Sequence, residues 1–310
     1  MIDLLKARAA HGTRTPHGDG ARIALAIEGG AMRGVVSAGM VAALERLGLT
    51  RAFDAVYGSS AGAINGAYFL TGQANLGATI YSEDINNRHF IDLRRPLRGR
   101  PIVDLGFLID HVATRLKPLD TGGVLSAASP LTVLATDVES ASTAALRGFT
   151  TADALFGAMR AGATMPIVAG PPVSYAGRTY LDASLTQPIP VPLAEADGFT
   201  HILALLTRPT DGGPGGSLLD RWYVLPRLRR ISPGLATLYA GRREPYAALL
   251  RNITAGRGPA GLATVMGLRP GGPEVSRLER DATALKAAAA RGFDAVMRAF
   301  DGSGVSRIPS

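Results

Sequence analysis

Short apolar runs, each followed by a glycine-rich turn and a helical stretch, mark the first part of the chain. The run RIALAI (22–27) is typical of a strand, and the cluster EGGAMRG (28–34) follows it directly. Beyond it, VVSAGMVAALERLGL (35–49) repeats apolar residues along one helical face, and Gly48 offers a stop signal. This pattern predicts a strand, a tight loop and a helix in succession.

The same order of elements recurs a few residues later. FDAVY (53–57) is predicted to be a strand, GSSAG (58–62) a turn and AINGAYFLTG (63–72) a helix. Two strand–loop–helix units so close together favour an α/β fold with a mostly parallel sheet. Further strands are predicted over 131–138, 179–182 and 201–207. One further helix is predicted over 151–162.

Composition along the chain suggests three segments. Residues 1–20 are polar and contain neither an apolar core of 7 to 15 residues nor a cleavage-site pattern, so we expect a flexible N-terminal tail. Residues 21–207 hold the predicted sheet and form the expected core domain. Residues 208–310 begin with the linker-type sequence DGGPGG (211–216), and apolar residues recur at helical spacing over 278–300. We therefore expect a linker and a helical C-terminal region packed on or beside the core.

Overall composition limits the class of protein. At 310 residues, 46% of them hydrophobic, the chain is long enough for one large domain. It has no cysteine, which excludes disulfides and thiolate catalysis and is compatible with a reducing cytosol. The first twenty residues lack the apolar core of a signal peptide, and no run of about 18 apolar residues occurs. We expect a cytoplasmic protein, with any membrane contact peripheral and on the inner face.

The chain is strongly basic, with a net charge of +8 and a pI near 10.2, so polyanions are attracted to it. Arginines concentrate in 88–100 and 217–251. These segments are either an ordinary solvated face or a surface for anionic lipid. Trp222, Tyr223 and Leu225 favour the second interpretation, because aromatic and cationic side chains together suit an anionic membrane interface. Nucleic acid is not an expected partner, since no aromatic-basic recognition motif accompanies the charge.

The turn GSSAG fits G-x-S-x-G, which lifts a serine above the end of a strand. Gly58 and Gly62 remove the Cβ atoms that would clash between strand and helix. The pattern is weak by itself, but the apolar strand before it and the helix directly after it are the context that the motif requires. Ser60 is therefore the candidate nucleophile.

The cluster EGGAMRG supplies a second candidate feature. Its residues lie between a predicted strand and a helix N-terminus, where consecutive backbone N–H groups can bind an anion. In acyl transfer the anion is the oxygen of the tetrahedral intermediate. A nucleotide loop is disfavoured, because neither G-x-G-x-x-G nor the P-loop pattern fits. The candidate oxyanion-hole residues are Gly29, Gly30, Ala31, Met32 and Arg33, with Gly34 as a further motif glycine.

A serine nucleophile needs a base, and the histidines of this chain are few. His11 and His17 lie in the expected tail, and His89 and His111 belong to no recognised motif. His201 opens a predicted strand instead of following one, so it is poorly positioned for the Ser, Asp, His order of the α/β-hydrolases. A structural histidine is the favoured interpretation of His201.

The motifs EGGAMRG and GSSAG, followed by YLDAS (180–184), occur in the order and spacing of the patatin-like phospholipases. The chain resembles that family over about residues 21–207, and within it most resembles the bacterial soluble single-domain members. The resemblance implies a three-layer α/β/α fold with a mostly parallel central sheet. It also implies a Ser-Asp dyad without histidine, in which Ser60 is the nucleophile and Asp182 the base.

Two motifs depart from the family pattern. Ala31 replaces a glycine of the loop, and Ala183 and Ser184 follow the aspartate where glycines are common. Alanine still donates through its N–H group, so we expect the oxyanion hole to persist. For Arg33 two interpretations stay open: it binds a substrate phosphate, or it faces solvent.

The resemblance implies a serine lipid acyl hydrolase of the phospholipase A, lysophospholipase or esterase type, which works through an acyl-enzyme. Its substrate would be a phospholipid or another acyl-ester lipid, with no cofactor and no metal. Two alternatives remain, namely an acyltransferase that uses the same acyl-enzyme and a non-catalytic lipid-binding module of the same fold.

Overall fold

The structure is a computed structural model that describes residues 1–10, 17–210 and 220–302. Within these residues, eight strands form a single sheet. They are β1 Ile23–Ile27, β2 Ala55–Ser59, β3 Leu131–Asp137, β4 Ser142–Leu146, β5 Val173–Tyr175, β6 Arg178–Asp182, β7 His201–Leu205 and β8 Thr264–Leu268. The expected linker at 211–216 lies outside the described residues.

The strand order is β5-β6-β3-β2-β1-β7-β8, and β4 pairs with β3 outside this order. The five strands from β3 to β8 in that order are mutually parallel, whereas β4, β5 and β6 pair antiparallel with their neighbours. The predicted α/β fold with a mostly parallel sheet is confirmed.

Eleven α-helices occur in the described part of the chain. They are α1 Ile2–Ala10, α2 Val35–Arg46, α3 Ala61–Leu70, α4 Ala74–Glu83, α5 Thr121–Leu125, α6 Ala152–Ala163, α7 Val191–Ala196, α8 Leu225–Ile231, α9 Pro233–Gly241, α10 Arg243–Thr254 and α11 Ala282–Phe300. π-Helical segments span Phe107–Leu116 and Asp220–Val224, and a short 3₁₀ turn covers Ala31–Gly34. No helix in the described ranges is both long and apolar enough to cross a bilayer.

The alternation of side chains along β1 explains the layers. Successive residues of a strand point to opposite faces of the sheet. Ile23, Leu25 and Ile27 pack into a core with α2, α3, α4, α6 and α11, whereas Ala24 and Ala26 pack into one with α7 and α10. Because both faces are covered, the whole strand is buried and its sequence is continuously apolar. The three-layer α/β/α arrangement implied by the resemblance is confirmed.

The N-terminus differs from the expected flexible tail, because Ile2–Ala10 form α1. Leu5 and Arg8 of this helix are buried. The Arg8 guanidinium donates to Asp19 at 2.7 Å and to Asp54 at 2.9 Å, and it lowers the pKa of Asp19 to about 2. A buried arginine paired with two carboxylates fixes the helix against the sheet, and polar composition alone did not indicate this.

β8 extends the sheet beyond residue 207, where the core domain was expected to end. It pairs in parallel with β7, with Thr264 opposite His201. The run TVMGL is too short for periodicity to distinguish a strand from a helical segment. The C-terminal region therefore contributes a strand to the central sheet as well as helices.

The C-terminal helix α11 packs closely on α2. A Cβ atom on Gly39 would lie 2.0 Å from the carbonyl oxygen of Ala289, and one on Gly292 would lie 2.1 Å from that of Val36. Only glycine permits this approach of the two backbones. The amphipathic helix expected over 278–300 is present, although it begins at Ala282.

Candidate active site

Ser60 lies in the sharp turn between β2 and α3. Its φ of 54° and ψ of −127° are unusual for a residue with a side chain. A Cβ atom on Gly58 would lie 2.3 Å from the Cα atom of Ala63, and one on Gly62 would lie 2.3 Å from the carbonyl oxygen of Ile27. The two glycines therefore allow the close strand–helix approach that raises Ser60 above the sheet, as expected for G-x-S-x-G.

β6 brings Asp182 to the same point along β3. β4 lies along one edge of β3. The β3 residues that pair with β4 also pair with β2 or with β6, so β2 and β6 both lie along the other edge of β3. On that edge Ser59 lies opposite Leu134, and Asp182 lies opposite Ala135. The C-terminal ends of β2 and β6 thus meet at two consecutive residues of β3, which are about 3.3 Å apart along the strand. Ser60 and Asp182 both line the cavity at this junction.

Only one of the two oxygens of the Asp182 carboxylate accepts a hydrogen bond within the described residues. The residue is 0% exposed, and its Oδ1 accepts a hydrogen bond of 2.7 Å from the backbone N–H of Ser184. Its Oδ2 has no hydrogen-bond partner within the described residues. Ser60 is 7% exposed, and its hydroxyl also makes no hydrogen bond with the described residues. A buried carboxylate oxygen without a donor is costly, so this atom is available to a nearby hydroxyl.

The glycine loop lies directly against Ser60. A Cβ atom on Gly29 would be 2.7 Å from the Ser60 Cβ, and Ala31 has a φ of 52°. The N–H groups of Gly29, Gly30 and Ala31 donate to no acceptor among the described residues. A loop with three such N–H groups therefore adjoins Ser60.

Two of the expected oxyanion donors are already occupied. The Met32 N–H donates to the carbonyl oxygen of Arg277 at 3.2 Å, and the Arg33 N–H donates to that of Gly30 at 3.1 Å. Sequence analysis missed one candidate donor: Ala61, the first residue of α3, has an N–H group without an acceptor in the described ranges. The residue after the nucleophile supplies such a donor in α/β-hydrolases, and this was the available signal.

Glu28 supports the loop from behind. This buried carboxylate accepts hydrogen bonds from the Thr207 N–H at 2.6 Å, the Thr207 hydroxyl at 2.9 Å and the Tyr246 hydroxyl at 2.9 Å. Burial and the Glu28 charge raise the pKa of Tyr246, which therefore stays a neutral donor. Sequence analysis missed these partners because they are distant in the chain.

Arg33 does not face solvent, and that interpretation is wrong. The residue is 3% exposed, and its guanidinium donates to Glu274 at 2.6 Å and to the Thr207 hydroxyl at 3.2 Å. Burial lowers the pKa of Arg33, while the charges of Glu28 and Glu274 oppose this shift. Gly34 lies close to α3, since a Cβ atom there would be 2.6 Å from that of Ala61.

Two cavities adjoin Ser60. The first, here called the polar cavity, has a volume of about 540 Å³, and the described residues of its lining include four arginines and three carboxylates. They are Arg33, Arg208, Arg242 and Arg277, and Glu28, Asp182 and Glu274. The second, the apolar cavity, measures about 290 Å³ and is lined chiefly by aliphatic and aromatic side chains, among them Ile64, Ile80, Phe90, Leu105 and Leu108.

No histidine is among the described residues that line either cavity. His201 lies opposite Ile23 at the start of β1, and therefore at the other end of the parallel strands from Ser60. His89 stacks on the ring of Phe107, and the ring of His111 is tilted against the same ring at a centroid distance of 5.3 Å. The described ranges also contain no group of three or more His, Asp or Glu side chains arranged to hold a metal ion.

Comparison with known proteins identifies the family. The model of the patatin-like phospholipase family matches residues 25–195, more than half of the chain. The uncharacterized protein YjjU of Escherichia coli (strain K12) is 29% identical over 192 residues, which are 61% of this chain and 53% of YjjU. The match thus spans about half the length of that relative. The crystal structure of VipD from Legionella pneumophila is similar with a TM-score of 0.45 and 12% identity, covering 91% of this chain and 67% of that one. The resemblance expected from the motifs is confirmed, and the chain belongs to the patatin-like phospholipase family.

Proposed function

We propose that the protein hydrolyses acyl esters of lipids through an acyl-enzyme on Ser60, with Asp182 as the base. The observation that carries this proposal is the fully buried Oδ2 of Asp182, which has no hydrogen-bond partner in the described part of the chain. Asp182 lines the same cavity as the strained Ser60. Backbone strain and a buried carboxylate oxygen without a hydrogen-bond donor are costly, and both are typical of functional sites. A purely lipid-binding module would need neither.

In the first half of the cycle, the ester carbonyl carbon accepts the Ser60 oxygen while Asp182 takes the hydroxyl proton. Negative charge develops on the carbonyl oxygen. The N–H groups of Gly29, Gly30, Ala31 and Ala61, which have no acceptor among the residues that the structure describes, are the donors available to it. Each such donor typically contributes about 3 kcal/mol to the transition state. The C–O bond to the alcohol then breaks, and the proton passes from Asp182 to the leaving oxygen.

In the second half, water attacks the acyl-serine carbonyl. Asp182 accepts a proton from the water, the same donors stabilise the second tetrahedral intermediate, and the proton returns to Ser60 as the fatty acid leaves. The Ser184 N–H holds the carboxylate in one orientation throughout. The burial of Asp182 removes competing water and strengthens its interaction with the hydroxyl proton.

The adjoining apolar cavity supports a lipid substrate. It reaches Ser60 and Ala61, and its aliphatic lining suits a hydrocarbon chain that leaves water. Val224, which lines this cavity, follows the exposed Trp222 and Tyr223, and the Arg227 guanidinium lies 3.4 Å from the centre of the Tyr223 ring. We include peripheral contact with an anionic membrane surface through this segment in the proposal.

Substitution of the two reacting side chains tests the proposal. Ser60→Ala and Asp182→Asn should each lower kcat/KM on a nitrophenyl butyrate and on a lysophospholipid by about a thousandfold or more. The introduced amide would keep an oxygen for the Ser184 N–H but cannot take a proton. His201→Ala is the control and should retain activity, because this residue lies at the far end of the sheet.

Chemical labelling separates the remaining alternatives. A fluorophosphonate probe should modify Ser60 in the wild type and not in Asp182→Asn, since only an activated serine reacts. Full activity in Asp182→Asn, or strong loss in His201→Ala, would reject the dyad. Absence of labelling together with lipid binding would favour the non-catalytic module, and acyl transfer to added glycerol in preference to water would favour the acyltransferase.

A further inference from the structure

Residues 88–100, here called the arginine loop, start and end at the wall of the apolar cavity. Phe90 lines that cavity, and so does Val103, which follows the loop. Ile91 forms a β-bridge with Val103 and thereby closes the base of the loop. The residues between these points extend away from the cavity wall.

One arginine holds the arginine loop in a fixed shape. The Arg95 guanidinium donates to the carbonyl oxygens of His89 at 2.7 Å and of Phe90 at 3.2 Å, and it lies 3.6 Å from the Asp104 carboxylate. Its side chain is largely buried. The loop therefore folds around this cation, which fixes its outer residues relative to the cavity.

Two leucines of the arginine loop lie in solvent. Leu93 is 64% exposed, and Leu97, on the short turn Arg95–Arg98, is 88% exposed. Leu97 is the most exposed large apolar side chain in the described part of the chain. Single exposed leucines are common on protein surfaces, but two in one short, fixed loop indicate an interaction surface.

The surroundings of the two leucines are cationic. Four exposed arginines share the loop with one carboxylate, that of Asp92. These arginines are Arg88, Arg94, Arg98 and Arg100. Leucines flanked by arginines fit an anionic lipid surface, where phosphates lie above a hydrocarbon layer and each type of side chain reaches the layer that suits it.

Other partners fit this combination less well. A nucleic acid offers phosphates but no hydrocarbon layer for the leucines. A second copy of this chain, docked loop to loop, would bring arginines against arginines, and like charges repel. The combination of charge and exposed leucines therefore favours a lipid surface.

We propose that the arginine loop inserts Leu93 and Leu97 into the hydrocarbon layer of an anionic membrane while its exposed arginines bind lipid phosphates. This inference rests on the proposed function for the nature of its partner, and it adds a second membrane contact to the segment that contains Trp222. Both contacts adjoin the apolar cavity, one through Phe90 and the other through Val224. An acyl chain that leaves the membrane therefore crosses little water before it enters this cavity.

Vesicle sedimentation with the inactive Ser60→Ala protein tests the leucines without hydrolysis. On vesicles of phosphatidylglycerol and phosphatidylcholine, added Leu93→Ala and Leu97→Ala should together weaken binding by about tenfold or more. The factor should be the same at low and high salt, because burial of hydrocarbon is not screened. Leu262→Ala is the matched control and should bind like its parent, since this exposed leucine precedes β8 at the opposite end of the parallel strands.

The arginines should respond differently to salt. Arg94→Gln and Arg98→Gln together should weaken binding by about tenfold at low salt, and this loss should shrink as salt rises, because ions screen the attraction to lipid phosphates. Arg46→Gln is the matched control, because this exposed arginine lies at the end of α2, the helix that leads away from the glycine loop.

Fluorescence reports whether the loop enters the hydrocarbon layer. Trp222 is the single tryptophan of the chain, so Trp222→Phe leaves a background in which Leu97→Trp is the sole indole. Anionic vesicles should shift its emission to shorter wavelength, and lipids with brominated acyl chains should quench it. Leu262→Trp in the same background should show neither change. If the Leu97→Trp protein binds vesicles without shift or quenching, another surface makes the contact and the proposal is wrong.

Two further outcomes would overturn the proposal. One is that the leucine variants bind vesicles as tightly as their parent. The other is that they convert a dimer into a monomer and leave vesicle binding unchanged, which would identify the arginine loop as an interface between copies of this chain.

Hydrolysis is measured separately with the wild type. If the wild type cleaves no ester but the loop variants lose vesicle binding, the proposed hydrolysis falls and the membrane contact stands. If the wild type cleaves nitrophenyl butyrate and lysophospholipid while the loop variants bind vesicles as before, the membrane contact of the arginine loop falls and hydrolysis stands.

Discussion

Ser60 and Asp182 each adopt an energetically unfavourable state, which the surrounding structure maintains. The positive φ of Ser60 costs on the order of 1–3 kcal/mol, and only tight packing around it sustains this conformation. Asp182 is fully buried, yet only one of its two carboxylate oxygens accepts a hydrogen bond within the described residues. The two costs fall on side chains that line one cavity, and this convergence is the physical basis of the proposed roles.

The hydroxyl of Tyr246 gives a test of how the loop is supported. Tyr246→Phe removes one of three hydrogen bonds to buried Glu28, so we expect the free energy of unfolding to fall by about 1–3 kcal/mol. Urea unfolding measures this change, and kcat on nitrophenyl butyrate should fall with little change in KM as the loop loses its fixed shape. Tyr223→Phe, an exposed site, is the control. An unchanged stability would show that Glu28 does not need this donor.

Residues were predictable where a local pattern carried the information. Ser60 followed from G-x-S-x-G between a strand and a helix, and Asp182 from the resemblance. The occupied N–H group of Met32 and the buried ion pair of Arg33 were not predictable, because their partners Arg277 and Glu274 come from the far C-terminal region. A sequence pattern names the donors of a loop but not the acceptors that fold against it.

Elements show the same division. β1 was evident as a continuous apolar run, since parallel strands covered on both faces are buried throughout. β8 was not predicted, because its five residues show no periodicity that distinguishes a strand from a helix. They form a strand by pairing with β7. α1 was not predicted, because its packing on the core depends on buried Arg8 and the two carboxylates that pair with it. Tertiary contacts, which a single sequence does not display, decide both cases.

The contact between α2 and α11 predicts a strong requirement for glycine. Gly292→Ala would bring a Cβ atom to within 2.1 Å of the Val36 carbonyl oxygen, so the helices must separate. We expect the free energy of unfolding to decrease by about 1–3 kcal/mol, although alanine is the better helix former. Gly241→Ala in α9 is the control, since nothing lies within 4 Å of a Cβ atom there, and its stability should be equal or higher. Denaturant unfolding of both variants checks this, and a Gly292→Ala protein as stable as wild type would contradict it.

At the scale of the whole molecule, the site lies at one end of the parallel strands, and an exposed aromatic and basic segment lies next to its apolar cavity. Trp222 is 74% exposed, and Val224, two residues later, lines that cavity. Large exposed apolar side chains beside arginines suit an anionic lipid surface. A lipid held there would have a short path to Ser60.

Vesicle sedimentation tests this membrane contact. The protein should bind vesicles that contain phosphatidylglycerol, and binding should weaken as salt rises, because screening reduces the attraction between arginines and lipid head groups. Trp222→Ala should reduce binding severalfold. Leu262→Ala is the matched control: this leucine is 77% exposed but precedes β8, at the opposite end of the parallel strands. Equal binding to neutral vesicles at every salt concentration would reject the contact.

The hydrogen bond from Met32 to the carbonyl of Arg277 has a wider consequence. The glycine loop and the nucleophile are encoded within the first 62 residues, yet the loop is held in shape by the Arg277 carbonyl and, through Glu28, by Thr207 and Tyr246. A fragment ending at residue 195, where the family match stops, would contain Ser60 and Asp182 but none of these three supports. We therefore expect the proposed activity to need these later residues as well as the motifs, so that grafting the motifs alone onto another scaffold should not reproduce it.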